Sequence, residues 1–328
     1  ERGRPRYLLG LICAVSPAVL ITAASVSNSG VEVSSAICFL ACLIRLSRPD
    51  VPGWVWVAGG ISGAALALAR DLGPAWIVFD LVLVGIFAGG ERLRTLRAAG
   101  GGRLRLAGGL VAAGVAVSGL WQAFNGVRPD LSLLRFPEVS FDLANGFIRQ
   151  TVGVFGPLNV FMPNFAYRLW ALIVLLLIGV ALFAARPRQR LALVLAVAGF
   201  VVLSVALEAV QNIGGFGVQV RHVMPVFLTI PLLAGEIAAR SPKPRWFHSP
   251  LVLPAFAAAA AAVHLTAWHT LGRRFAVGEQ GPPAFFRSYE WAPPGGWIPW
   301  AALTCAGCAL LFFAFLGNPR KELSYQAQ

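Results

Sequence analysis

The stretch GVQVRHVMPVFLTIPLL, residues 217–233, places polar residues directly before an apolar run that is long enough to enter a lipid bilayer. The polar residues are Gln219, Arg221 and His222, and the apolar run begins at Val223. This division predicts a membrane helix whose first turn lies at the boundary between lipid and water.

The composition of the whole chain is typical of integral membrane proteins. Hydrophobic residues make up 57% of the 328 residues and charged residues only 12%, whereas roughly one quarter of a soluble domain is charged. Apolar stretches recur at close to the roughly 20 residues that a helix needs to cross hydrocarbon. We predict an all-α polytopic membrane protein with about ten transmembrane helices. The predicted spans are 7–24, 31–46, 53–69, 74–90, 106–124, 167–185, 191–207, 223–239, 250–271 and 297–316.

The distribution of positive charge predicts the orientation of these helices. If the chain starts in the cytoplasm, 18 of the 27 Lys and Arg residues fall in cytoplasmic segments, which retain an excess of such residues. We therefore expect an inner-membrane protein with both ends of this chain cytoplasmic. The net charge of +13 follows from this bias, so we predict no nucleic-acid partner.

The predicted connections are of two kinds. The inner ones are short and basic, whereas two outer ones, 125–166 and 272–296, are long and contain Pro, Gly and aromatic residues. Long connections of this kind often cover a site. We predict a single transmembrane domain over 1–328 with its chemistry on the outer face. Residue 1 is Glu, so we expect an N-terminal part of a longer protein to precede it.

Polar groups converge on the predicted outer face. Asn28 and Glu32 lie at the start of the second span, and Arg70 lies with Asp71 at the end of the third. Glu208 lies at the end of the seventh span, and Gln219, Arg221 and His222 lie directly before the eighth. Carboxylates and arginines at one bilayer boundary suit an anionic head group beside a group that loses a proton. The alternative is that the arginines contact lipid phosphates only, and that Glu32 interacts with the helix dipole.

Four motifs resemble a known family. They are SPAVLITAASVSNSGVEVSSA (16–36), LARDLGPAW (68–76), TVGVFGPLNVFMPNFAY (151–167) and GFGVQVRHVMPVFLTIPLL (215–233). In this order they resemble uncharacterised bacterial polytopic membrane proteins grouped with the GT-C glycosyltransferases. The resemblance implies a GT-C-like fold with long outer loops. It also implies transfer of a sugar from a polyprenyl-phosphate carrier to a glycan or lipid-linked acceptor in cell-envelope assembly.

The resemblance assigns roles that the residue types can support. It implies a general base in a first outer loop that precedes this chain. Within the given chain, Glu32 is the best acidic candidate for that role. Arg70 and Arg221 would bind the carrier phosphate, since the guanidinium fork pairs with phosphate oxygens. Asn28, Gln219 and His222 would complete substrate binding. Membrane lipids are further expected partners. We predict no metal ligand set, and we leave a divalent cation cofactor open.

Two other classes of function compete with this one. A lipid or polysaccharide transporter would show internal repeats, broken helices and polar residues near the midplane, and only Asp80 lies well inside a predicted span. A non-catalytic membrane scaffold would not need the polar cluster. Among further residues, Gly59 and Gly63 predict close helix packing, as do His264 and His269. Tyr289 and Trp291 fit an interfacial aromatic belt or, alternatively, a sugar-stacking surface.

Overall fold

The computed structural model describes residues 5–126, 141–212, 219–242, 244–287 and 289–315. These residues contain twelve α-helices and one short antiparallel hairpin, in which Val154 pairs with Phe161. The helices are α1 (Leu9–Ala14), α2 (Pro17–Ala24), α3 (Asn28–Leu46), α4 (Gly53–Ala69), α5 (Gly73–Ala88), α6 (Gly90–Asn125), α7 (Phe141–Val152), α8 (Asn164–Ala184), α9 (Pro187–Asn212), α10 (Met224–Arg240), α11 (Val252–Val277) and α12 (Trp297–Phe315). The strands are β1 (Val154–Phe155) and β2 (Val160–Phe161), and short 3₁₀ helices cover Pro5–Leu8, Val220–His222, Arg245–His248 and Phe285–Arg287.

The predicted all-α membrane protein is confirmed, but a count of ten spans is not. Every predicted span contains helix, yet six helices of the described ranges are long and apolar enough to cross a membrane, or seven with one bent pair. The helices α4, α5 and α10 have 17, 16 and 17 residues. At 1.5 Å per residue they rise about 24–26 Å, which is less than the roughly 30 Å of a hydrocarbon core.

The first predicted span, 7–24, is wrong as one continuous helix. It consists of α1 and α2, which meet at an angle of 71°. Pro17 opens α2, and the residue before a proline is pushed out of the helical conformation; Ser16 is accordingly extended. The Ser16 hydroxyl accepts a hydrogen bond from the Val19 N–H at 3.3 Å and donates one to the Thr151 carbonyl at 2.7 Å. These bonds satisfy the backbone N–H group of Val19 at the start of α2, and they connect the break between α1 and α2 to α7.

The helix α10 forms the centre of the bundle. Nearly all of its residues are buried, and it contacts α1, α3, α5, α8 and α9. Apolar side chains on most sides of a helix are stable only when neighbouring helices cover them. The approach of α1 is closest where Gly10 meets Gly235: a Cβ added to Gly235 would lie 2.4 Å from the Gly10 Cα. Small residues therefore set the distance between these two helices.

Glycines also permit the close packing of α3, α4 and α6. A Cβ on Gly63 would lie 2.7 Å from a methyl group of Val111 and 2.8 Å from the Phe39 ring, and one on Gly59 would lie 3.3 Å from the Cys42 Cβ. The packing role predicted for Gly59 and Gly63 is confirmed. The outermost helices show the opposite pattern, because only 6% of the apolar window of α12 is buried. Their exposed apolar faces suit contact with lipid.

Helix ends define two ends of the bundle. At one end, which we call the arginine-rich end, α3, α5, α8 and α10 stop and α6 and α9 begin. At the other, which we call the site end, α3, α8 and α10 begin and α4 stops. The described part of the predicted loop 125–166 lies at the site end and contains α7 and the hairpin. Residues 127–140 lie outside the described residues. In 272–296, α11 continues to Val277.

Candidate functional site at one end of the helix bundle

Glu32 lies in the first turns of α3, where the Ser27 hydroxyl caps the helix by accepting from the Gly30 N–H at 3.3 Å. Its side chain is only 1% exposed. The Trp76 indole N–H donates to Oε1 at 3.0 Å, and the Arg70 Nε lies 3.8 Å from Oε2. Oε2 has no hydrogen-bond partner among the described residues. A buried carboxylate beside a guanidinium is an ion pair whose removal on one side would leave a costly unpaired charge.

Arg70 links the buried carboxylate to the surface of the site end. It is the residue at which α4 ends in an extended conformation. Its Nη1 donates to the Ser29 hydroxyl at 2.8 Å, while 24% of its side chain remains exposed. Arg70 is therefore held by two residues of the first turns of α3, while part of its side chain remains accessible to an anion.

The turn Val220–His222, directly before α10, is held by hydrogen bonds to side chains of α7 and α9. Val220 is buried, and its N–H donates to the Gln150 side-chain oxygen of α7 at 3.1 Å. The Gln211 amide of α9 donates to Nδ1 of His222 at 2.9 Å. Within the turn, the His222 N–H bonds to the carbonyl of Gln219 at 2.9 Å. The 3₁₀ helix Val220–His222 thus has one defined position directly before α10.

The charges of Arg70 and Arg221 both act on the His222 side chain. Burial, followed by the nearby charges of Arg70 and Arg221, lowers the pKa of His222 to about 4. The imidazole is therefore neutral at pH 7. Because Nδ1 accepts a hydrogen bond from Gln211, the proton of the neutral ring resides on Nε2, which is then a donor. Arg221 itself is exposed.

The structure brings four of the six candidate residues together and leaves two outside their contacts. Glu32 and Arg70 form an ion pair. The charges of Arg70 and Arg221 lower the pKa of His222. Gln219 lies outside this group of side chains, and its backbone carbonyl accepts the His222 N–H. Asn28 is exposed and lines an open groove of about 680 Å³ formed by α2 and the first turns of α3. Of the other polar residues, Glu208 is half-buried within α9.

Several residues of the site were not predicted from the sequence. Ser29 and Trp76 contact the ion pair, and Gln150 and Gln211 position the turn. Trp76 lies 44 residues from its partner Glu32, and no local pattern connects the two. The polar residues near helix ends are a general signal for such contacts, but they do not specify which ends meet.

The remaining sequence candidates are outside this cluster. His264 packs edge-on against Trp170, with ring centroids 5.6 Å apart, so its predicted packing role is confirmed. His269 donates from Nε2 to the Pro283 carbonyl at 3.0 Å. Asp80 is 3% exposed within α5. Trp291 packs against Trp297 at 5.7 Å. Over the ranges that the structure covers, no three His, Cys, Asp or Glu side chains are grouped as metal ligands would be.

Comparison with known proteins identifies a family but no activity. The family described as "Predicted membrane protein (DUF2142)" matches residues 2–230. No curated protein and no solved structure matches the chain. The match contains all six candidate residues and ends within α10. It confirms the expected resemblance to an uncharacterised membrane family, whereas the grouping with GT-C glycosyltransferases stays a prediction.

Proposed function

We propose that this chain, which belongs to the DUF2142 family of predicted membrane proteins, is a membrane glycosyltransferase that takes its sugar from a polyprenyl-phosphate carrier. The proposal rests on the position of His222 directly before α10, where the charges of Arg70 and Arg221 are near enough to lower its pKa, and on the ion pair that orients Arg70. The resemblance of four motifs to proteins grouped with GT-C enzymes provides the reaction class.

The two arginines suit a phosphate that gains charge during the reaction. When the sugar leaves its carrier, the phosphodiester becomes a phosphate monoester that can carry two negative charges. A cationic clamp that binds this product-like state more tightly than the diester lowers the barrier. Arg70 is already oriented by Ser29 and Glu32, and such preorganisation reduces the cost of binding. Arg221 is exposed, so a ligand can reach its side chain.

His222 complements the clamp as a neutral donor. A third positive charge between Arg70 and Arg221 would be unfavourable, and the lowered pKa of His222 avoids it. In the proposed complex its Nε2–H donates a hydrogen bond to a phosphate oxygen, while Gln211 holds the other nitrogen. The phosphate would thus contact three donors whose positions depend on α4, α9 and the turn before α10.

Glu32 is best suited to orienting Arg70 in this proposal. Its burial and its contacts with Trp76 and Arg70 are those of a positioning residue, because a general base must reach the hydroxyl that it deprotonates. In this proposal the role of base is therefore left to a residue outside this cluster. Glu32 as general base stays a prediction that no contact here tests.

A second function, transport or flipping of a lipid-linked substrate, is favoured by one observation. The break between α1 and α2 at Ser16 gives a span bent by 71°, and broken spans are common at the substrate sites of transporters. The same phosphate clamp would serve a flippase, which would move the carrier across the bilayer without cleaving it. Binding alone does not separate these functions, so transfer must be measured as well.

The test uses purified protein in lipid nanodiscs. Polyprenyl phosphate alone is the binding probe, followed by the quenching of tryptophan fluorescence, and a panel of polyprenyl-phosphate sugars is the donor set for transfer. Arg221→Ala should weaken binding of the probe by more than tenfold. Arg221→Lys keeps the charge but loses the paired donors, so it should cost about 1–3 kcal/mol.

The matched control is Arg168→Ala. Arg168 is an exposed arginine in the first turns of α8, at the site end but outside the cluster, and its removal should leave binding unchanged. Equal losses for Arg168→Ala and Arg221→Ala would show that both only contact lipid, and the clamp would be rejected. Probe binding without transfer from any donor, together with movement of carrier between leaflets, would replace the transferase with the flippase.

A further inference from the structure

The arginine-rich end, opposite the proposed clamp, contains a cavity of about 320 Å³. It is formed where α5, α8 and α10 end and α6 and α9 begin. Its lining includes Arg92, Arg186, Arg188 and Arg240, and none of the described residues that line it is Asp or Glu. Along α3, the rise from Glu32 to Ser47 beside the cavity is about 22 Å, so the two sites are separate.

The carboxylate of Glu236, near the cavity, is already paired with arginines. Glu236 is 5% exposed and is paired with two arginines: Arg48, whose Nε lies 2.8 Å from Oε1, and Arg240, one turn further along α10. One carboxylate shared by two guanidiniums leaves an excess of positive charge at this end. An anion in the cavity would neutralise part of that excess.

Capping of helix ends explains only some of these arginines. Arg92 donates through Nη2 to the carbonyls of Leu46 and Arg48 at the end of α3, as basic residues do at helix C-termini. Its buried Nε, however, has no partner among the described residues. The guanidinium groups of Arg186 and Arg188 form no hydrogen bond or ion pair with any residue that the structure describes, and both are exposed. Retention of a loop in the cytoplasm needs such charges on one side, but it does not need them around a cavity.

The backbone beside the cavity leaves room for one of these arginines. Gly89, between α5 and α6, has φ +82°, and a Cβ there would lie 2.3 Å from Nη1 of Arg188. Arg188 therefore lies directly over bare backbone. The first turns of α6 and α9 also meet at the cavity, and the N–H groups and dipoles of helix N-termini favour anions.

We propose that this cavity binds a phosphate group, presented either by the head group of an anionic membrane phospholipid or by a soluble phosphate. The volume is at the lower end of the range for small-ligand sites, which suits one phosphate and a short attached polyol. Arg186 and Arg188 provide the free guanidinium forks, and Arg92 provides the unpaired buried Nε. The site does not depend on the proposed transferase function.

The test compares lipid and free phosphate on the same protein. Detergent-purified protein is titrated with phosphatidylglycerol, with phosphatidylcholine and with inorganic phosphate, and binding is measured by native mass spectrometry and thermal unfolding. The cavity variant is Arg186→Gln with Arg188→Gln. The matched control is Arg94→Gln with Arg97→Gln, two exposed arginines of α6 that do not line the cavity.

A lipid site predicts at least a tenfold preference for phosphatidylglycerol over phosphatidylcholine, roughly the effect of one charged hydrogen-bond pair, lost in the cavity variant and retained in the control. A soluble-phosphate site predicts stabilisation by inorganic phosphate without lipid preference, with the same dependence on the variant. Equal behaviour of both variants, or no effect of any ligand on the native chain, would overturn the proposal.

A measurement without substitutions covers the case in which the cavity variant does not fold. Phenylglyoxal modifies accessible arginines, and peptide mass spectrometry reports the extent at each position. The bound ligand should protect Arg186 and Arg188 in the native chain at least severalfold more than Arg94 and Arg97. Equal protection of all four would reject a defined site.

Discussion

At the scale of single residues, His222 illustrates how neighbouring charges set a protonation state. Its pKa of about 4 is below the 6.5 of a free imidazole, because burial and two arginines oppose a further positive charge. Between pH 6.5 and 4 the unfolded chain binds a proton that the folded chain does not. Stability should therefore be complete above pH 6.5 and fall as the pH decreases towards 4.

Replacement of His222 should remove this pH dependence. Because the side chain is partly exposed, solvent screening reduces the expected loss to about 1 kcal/mol. We expect thermal unfolding of His222→Phe, measured from pH 7.5 to 4.5, to vary less with pH than that of the native chain. Identical slopes for His222→Phe and the native chain would contradict the assignment.

At the scale of elements, the crossing of α1 and α10 depends on the absence of side chains. A Cβ on Gly235 would lie 2.4 Å from both N and Cα of Gly10, and neither helix backbone can move aside without disturbing the buried centre. Gly235→Ala should lower the free energy of unfolding by about 1–3 kcal/mol, the usual range for overpacking. Thermal unfolding in detergent would measure the loss.

The control for this substitution is a glycine in an open position. Gly179 lies in α8, and nothing lies within 4 Å of a Cβ built there. Gly179→Ala should leave stability unchanged or raise it by up to about 1 kcal/mol through helix propensity. If both variants had the same stability, close packing between α1 and α10 would not be the cause of the effect.

At the scale of the whole molecule, the orientation in the membrane remains a prediction from charge. In a background without the five cysteines, Asn159→Cys in the hairpin region and Thr95→Cys on α6 are both exposed positions at opposite ends of the bundle. An impermeant thiol reagent should label Asn159→Cys in intact cells and Thr95→Cys only after lysis. The reverse pattern would invert the topology and place the proposed clamp on the cytoplasmic face.

The sequence by itself determined the class of protein and the approximate positions of most helices, but not the break between α1 and α2 or the helix α7. Apolar runs, prolines and glycines act locally, since they set the solvation and backbone conformation of the residues that contain them. The position of Arg221 in the turn directly before α10 could be predicted for the same reason. Pro17 is a local signal for the break between α1 and α2, because the residue before a proline avoids the helical conformation. The apolar residues on both sides of Pro17 nevertheless favoured one continuous span.

Only the tertiary structure decided which helix ends meet. Glu32 finds Trp76 and Arg70, and His222 finds Gln211, because α10 is enclosed by five other helices. Such contacts depend on packing between segments far apart in the chain, and several helix orders satisfy the same apolar pattern. For that reason the sequence identified arginines at both ends of the bundle, whereas the structure distinguished the four that surround a cavity from those that only cap helices.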